Sequence, residues 1–173
     1  MAQRLEFRNA QALRLQAQND LDAGQTDTAL AEYRQALQLA PADAFLWRDY
    51  ALAQLESGHN DLALKQAVIH AQTLAPKSAP LQLSLALAGL KVYAQSAPDL
   101  QVRWLDSIRF TYLYQPRGLL FAAYVAGQDL MLCQRVVLQP EHNPWCIQAR
   151  WRHGLCQSQG PDSCLAQSSR GSK

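Results

Sequence analysis

Two stretches of this chain follow one template. Residues 24–41 read GQTDTALAEYRQALQLAP and residues 58–76 read GHNDLALKQAVIHAQTLAP. Each opens on glycine with an aspartate close behind, passes through Ala-Leu and an amphipathic run, and closes on Leu-Ala-Pro. The glycines are 34 residues apart and the prolines 35. A fixed period in this range marks an array in which each unit is one supersecondary element that buries its apolar face against its neighbours.

The units read as helices. Ala, Leu and Gln dominate the chain and β-branched residues are scarce, so the fold class is all-α. A helix is expected from about Arg4 to Ala23, with Leu5, Ala12, Leu13, Ala17 and Leu21 on one broad face and Gly24 as its stop. Thr26 or Asp27 caps a second helix that runs to Leu39, before Pro41. Asp43 or a neighbour starts a third, ending near Ser57 and Gly58, and Asp61 opens a fourth that stops before Pro76. Short loops between helices of this length require antiparallel neighbours. A longer, degenerate third unit follows. SAPLQLSLALAGLKVYAQ reads as its first helix, and its second has Ser96 as cap and Pro98 in the first turn, ending before Pro116.

Beyond Pro116 the pattern fades. RGLLFAAYVAGQDLMLCQRVVL reads as one helix broken near Gly127 or as two short ones, and NPWCIQARWRHGLC as a short helix capped by Asn143. An array needs an end unit over its last apolar face, a role that falls to residues 117–157. Residues 1–116 are thus the repeats, and the polar residues 158–173 are expected to be a disordered tail.

Residue by residue, the repeats resemble the tetratricopeptide (TPR) family, whose unit is two helices in about 34 residues. Ala17, Ala51 and Ala86 stand at the small position of three successive first helices. Trp47 stands where the family favours tryptophan, with Leu13 and Gln82 as its counterparts. Gly24 and Gly58 are the turn glycines, Ala29 and Ala63 open the second helices, Tyr33 is the mid-helix aromatic, Ala36 pairs with Ala71, and Pro41 and Pro76 close the units. Repeat two departs from the pattern: Ala67 replaces the aromatic, and one extra residue around Val68 to His70 predicts a local bulge or a slip in helix phase.

The resemblance implies a TPR-like α-solenoid that binds another protein, without catalysis or cofactor. First helices of such units line a concave groove. Here that face carries Arg14, Gln18 and Leu21, then Phe45, Arg48, Leu52 and Leu55, then Leu83, Leu87, Leu90 and Lys91. An apolar groove with basic residues suits a helix or extended peptide bearing an acidic group. The paired asparagines of the carboxylate-clamp type are absent, with Gln18 and Leu52 at those positions. Packing of these leucines on the end unit or on a second copy, as a homodimer, is the competing reading. Family-level association points to bacterial envelope assembly, such as pilus, secretion or polysaccharide systems, with a cytosolic regulatory or chaperone-like module as the alternative.

Other chemistry is thin. No Gly-rich phosphate loop, GxSxG elbow or HExxH helix occurs, and Asp20 and Asp22 point apart on a helix. The four histidines are scattered, with His59 in a turn. Arg103, Arg109 and Arg117 interleave with Trp104, Phe110, Tyr112 and Tyr114, which could stack nucleic-acid bases; a net charge of only +2 makes core packing the better account. The charge divides as −2 over residues 1–78, seven Lys and Arg against nine Asp and Glu, and +4 over the rest. Cys133, Cys146, Cys156 and Cys164 cluster in the last quarter among His142 and His153. Their spacing fits no common zinc site, whereas an even count suits a disulfide of Cys133 with Cys146 or Cys156 and an oxidising, periplasmic setting. No run reaches the roughly 20 apolar residues of a membrane span, and the N-terminus does not read as a signal peptide, although an anchor could precede this sequence in its gene.

Overall fold

The computed structural model describes residues 2–58 and 62–156, with side chains from Arg8 onward. Among these residues every regular element is helical. In chain order they are α1 (Ala2–Asp22), α2 (Thr26–Leu39), α3 (Ala44–Glu56), α4 (Leu62–Leu74), α5 (Ala79–Val92), a 3-10 turn (Tyr93–Gln95), α6 (Pro98–Tyr114), α7 (Pro116–Val125), α8 (Asp129–Arg135) and α9 (Pro144–Arg152). No described helix is long and apolar enough to cross a membrane. The expected opening of α4 at Asp61, the turn at His59 and the tail 158–173 lie outside the described residues.

The helices pack as consecutive pairs, α1 on α2, α3 on α4 and α5 on α6. The pairs join through α2 on α3 and through α5, which meets both α3 and α4. Small residues permit this closeness: Ala17, Ala51 and Ala86 are each fully buried, one per first helix. The third pair adds a closer approach. A Cβ on Gly89 of α5 would sit 2.9 Å from the Cβ and Cγ of Trp104 in α6. Trp104 is fully buried, and its indole N–H donates to Ser96 Oγ at 3.0 Å.

The ends of the helices follow local chemistry. Gly24 and Gly58 adopt φ of 77° and 74°, where glycine carries no steric penalty. Gly24 N–H donates to Leu21 and Gln25 N–H to Asp20, the paired bonds that close a helix around a left-handed residue. Because that closure ends at Gln25, the backbone enters α2 directly. Gln25 is the N-cap without a side-chain bond, and Thr26 and Asp27 fall inside the first turn instead of capping it. Asp43 does cap α3, accepting from the N–H of Phe45 and Leu46. Ser96 does not cap α6, because its hydroxyl donates to Val92 O and accepts from Trp104, which leaves Ala97 as the N-cap.

Of the bulge or phase slip expected at Val68 to His70, the bulge is absent, since α4 is unbroken. Its buried residues Leu64, Ala67, Val68 and Ala71 lie 35 positions after Ala29, Glu32, Tyr33 and Ala36 of α2. The extra residue therefore falls ahead of Leu64, so Leu64 and Val68, rather than Ala63 and Ala67, take the burial positions of Ala29 and Tyr33.

After α6 the chain forms two short helices, α7 and α8, and then α9, capped by Asn143 as expected. Cys133 of α8 and Cys146 of α9 form a disulfide with Cα atoms 5.5 Å apart. Cys156 is disulfide-bonded too, but not to Cys133, so that alternative pairing is excluded.

Candidate functional site

Two surface depressions lie side by side over the first helices. One, of about 310 Å³, is lined by Gln18, Asn19, Leu21 and Asp22 of α1, Tyr33 of α2, and Asp49, Leu52 and Glu56 of α3. The other, of about 350 Å³, is lined by Leu52, Leu55 and Glu56 of α3 and by Ser84, Leu87, Ala88, Lys91 and Val92 of α5. Leu52 and Glu56 belong to both, so the two form one groove crossing α1, α3 and α5. The α3–α5 end is the more apolar.

The groove gathers Gln18, Leu21, Leu52, Leu55, Leu87 and Lys91 from the face expected on sequence grounds. Leu90 is corrected: it is 1% exposed and belongs to the core. Both α6 and α7 pack on α5, and more of its circumference is closed off than an outward Leu90 would require. Leu83 is half-buried and lines neither depression.

Arg14, Phe45 and Arg48 line neither depression; the two arginines flank the edge through Asp49, which does line it. Arg14 reaches Asp49 Oδ2 through Nε at 2.6 Å and Nη2 at 2.5 Å. Arg48 reaches Asp49 Oδ1 through Nε at 2.8 Å and Nη2 at 2.5 Å, and its guanidinium lies 5.0 Å from the centre of the Phe45 ring. Asp49 is buried, and a buried carboxylate held by two guanidinium groups is the arrangement that offsets its desolvation. The three charges leave this edge at net +1. Beneath it, burial and then the Asp49 charge push the Tyr33 hydroxyl up to about 12, so it stays neutral.

The acidic members of the site were not read from the sequence. Asp49 couples the two arginines, while Asp22 and Glu56 are exposed along the opposite edge. A signal was present: Arg14 and Arg48 are 34 residues apart, and so are Asp22 and Glu56.

The other candidates are placed elsewhere. In the aromatic and basic cluster, Trp104 is core, Phe110 packs on Tyr114 at 4.9 Å, and Arg103 pairs with Asp106 at 3.6 Å. His70 stacks on Trp47 at 4.4 Å. His153 and Arg152 both bind Asp129, at 3.0 and 2.5 Å. Among the described residues no group of three or more His, Cys, Asp or Glu side chains is placed to hold a metal ion. No protein-family model matches the chain, and no curated protein matches it.

Proposed function

We propose that this chain is a TPR-like array of two clear units and one degenerate unit, closed by the residue 117–157 end piece, and that it acts as an adaptor. It holds a segment of another protein in the groove over α1, α3 and α5. The observation that carries this reading is the continuity of the two depressions through Leu52 and Glu56, with leucine walls left open to solvent. Exposed apolar concavities rimmed by charge are where helices and peptides dock. The periods of 34 and 35 residues, the buried alanines and the paired helices support the array. Family-level association favours a role in bacterial envelope assembly, and the Cys133–Cys146 disulfide favours the periplasm over the cytosol, because such bridges persist in oxidising compartments.

The test is capture from extracts of the native organism with wild-type protein and with Leu87→Asp. Leu87 is 38% exposed, so the variant should keep its helical circular dichroism while losing the specific partner. Capture of the same partner by both proteins would count against the groove.

A further inference from the structure

Each of the first two first helices presents a basic residue, a neutral one and an acidic one at spacings of four. On α1 these are Arg14, Gln18 and Asp22, and on α3 they are Arg48, Leu52 and Glu56. Positions i, i+4 and i+8 follow one face of a helix. The groove therefore has two edges of opposite sign. The first is Arg14 and Arg48, just outside the lining and held to Asp49 within it, and the second is Asp22 and Glu56, which line the groove and make no ion pair among the described residues. On α5 the order changes, because Lys91 ends the acidic edge and Leu83, at the spacing of Arg14 and Arg48, is uncharged.

Eight residues of helix separate the two edges by about 12 Å, close to the roughly 10–12 Å diameter of an α-helix with its side chains. An extended strand laid along the leucines would touch one edge at a time. A helix fills the width.

Resting on the groove reading above, we propose that the occupant is an amphipathic α-helix carrying charges of both signs. It lies across α1, α3 and α5 with its apolar face on Leu21, Leu52, Leu55 and Leu87. One flank presents carboxylates to Arg14 and Arg48. The other presents Lys or Arg to Asp22 and Glu56, then an acid to Lys91. This differs from the single acidic group expected from the sequence.

The probes are synthetic helices of about 18 residues, roughly 27 Å long, enough to cross three helices set about 8–10 Å apart. All share one leucine face. Their flanks carry Glu on one side and Lys on the other, Glu on both, or Lys on both, and a fourth is the mixed peptide broken by a central proline. Titration calorimetry should show the mixed helix binding wild type at least tenfold more tightly than the other three. In Asp22→Lys/Glu56→Lys, whose changes are both at exposed positions, preference should pass to the Glu-flanked peptide. The inference is overturned by equal binding of the proline-broken peptide, by a wild-type preference for either uniform flank, by no binding at all, or by an unchanged preference in the variant. If any of these occurs while Leu87→Asp still abolishes native capture, the groove reading survives without the helix. If capture ignores Leu87→Asp, that reading falls as well.

Discussion

Trp47 and Gln82 make the same hydrogen bond one unit apart. The Trp47 indole N–H donates to Pro41 O at 2.8 Å, and Gln82 Nε2 donates to Pro76 O at 3.1 Å, each six residues back. An aromatic and an amide thus serve one purpose: they tie the starts of α3 and α5 to the proline that follows the preceding helix pair. Gln82 also accepts from Ser107 at 2.6 Å and is buried, so its loss orphans more groups. Gln82→Leu should cost about 1–3 kcal/mol and Trp47→Phe about 1 kcal/mol, measured by chemical denaturation. Equal and negligible losses would remove this bond from what joins the helix pairs.

Overpacking tests the close approaches. Gly89→Ala places a methyl 2.9 Å from Trp104, whose indole is pinned to Ser96, so the ring cannot swing away freely. Ala51 is fully buried, and Ala51→Leu meets the same difficulty. Each should cost about 1–3 kcal/mol. Unchanged thermal melts would contradict the packing described.

The α8–α9 pair depends on its bridge. A disulfide closing a 13-residue separation constrains the unfolded chain by about 3 kcal/mol, so Cys133→Ala/Cys146→Ala should lower stability by that order. Intact mass after alkylation without reductant checks the bridge itself. Modification of all four cysteines in protein from its native source would count against it.

Two carboxyls oppose each other in their pH dependence. Burial raises the Asp129 pKa, but the hydrogen bonds and charges of Arg152 and His153 outweigh it and hold the group below its ordinary value. Its contribution is present above the unfolded value near pH 4 and is lost as pH falls through the lowered folded value. Glu32 is raised by burial, then by the charge and hydrogen bond of Asp20. Its effect has the reverse sign: it favours folding below the unfolded value and is lost as pH rises through the raised one. Glu32→Gln should therefore raise the melting temperature at pH 7 and lose that advantage near pH 3. Asp129→Asn should lower the melting temperature at pH 7 and matter less near pH 3. Melts across pH 3–7 decide.

Much of the fold could be read from the period, because the alanines that allow close packing and the glycines that stop helices act locally. Gly24 and Gly58 illustrate this, with the same left-handed turn 34 residues apart. The cap that the sequence pattern places at Ser96 fails because its hydroxyl is claimed by Trp104, a contact across the helix pair that no local rule contains. Leu90 was misplaced for a similar reason: its burial depends on helices that arrive later in the chain. Leu21, Leu52, Leu55 and Leu87 follow the face that the periodicity marks, but Asp49 carries no such signal, because its role comes from two guanidinium groups on different helices.

The most direct measurement of the central claim is leucine-methyl NMR of the chain titrated with its captured partner. Shifts should concentrate at Leu52, Leu55 and Leu87 along the groove. Leu62, Leu74 and Leu113, which are exposed outside it, should stay unmoved. Shifts confined to that second set, with the groove leucines silent, would contradict the claim.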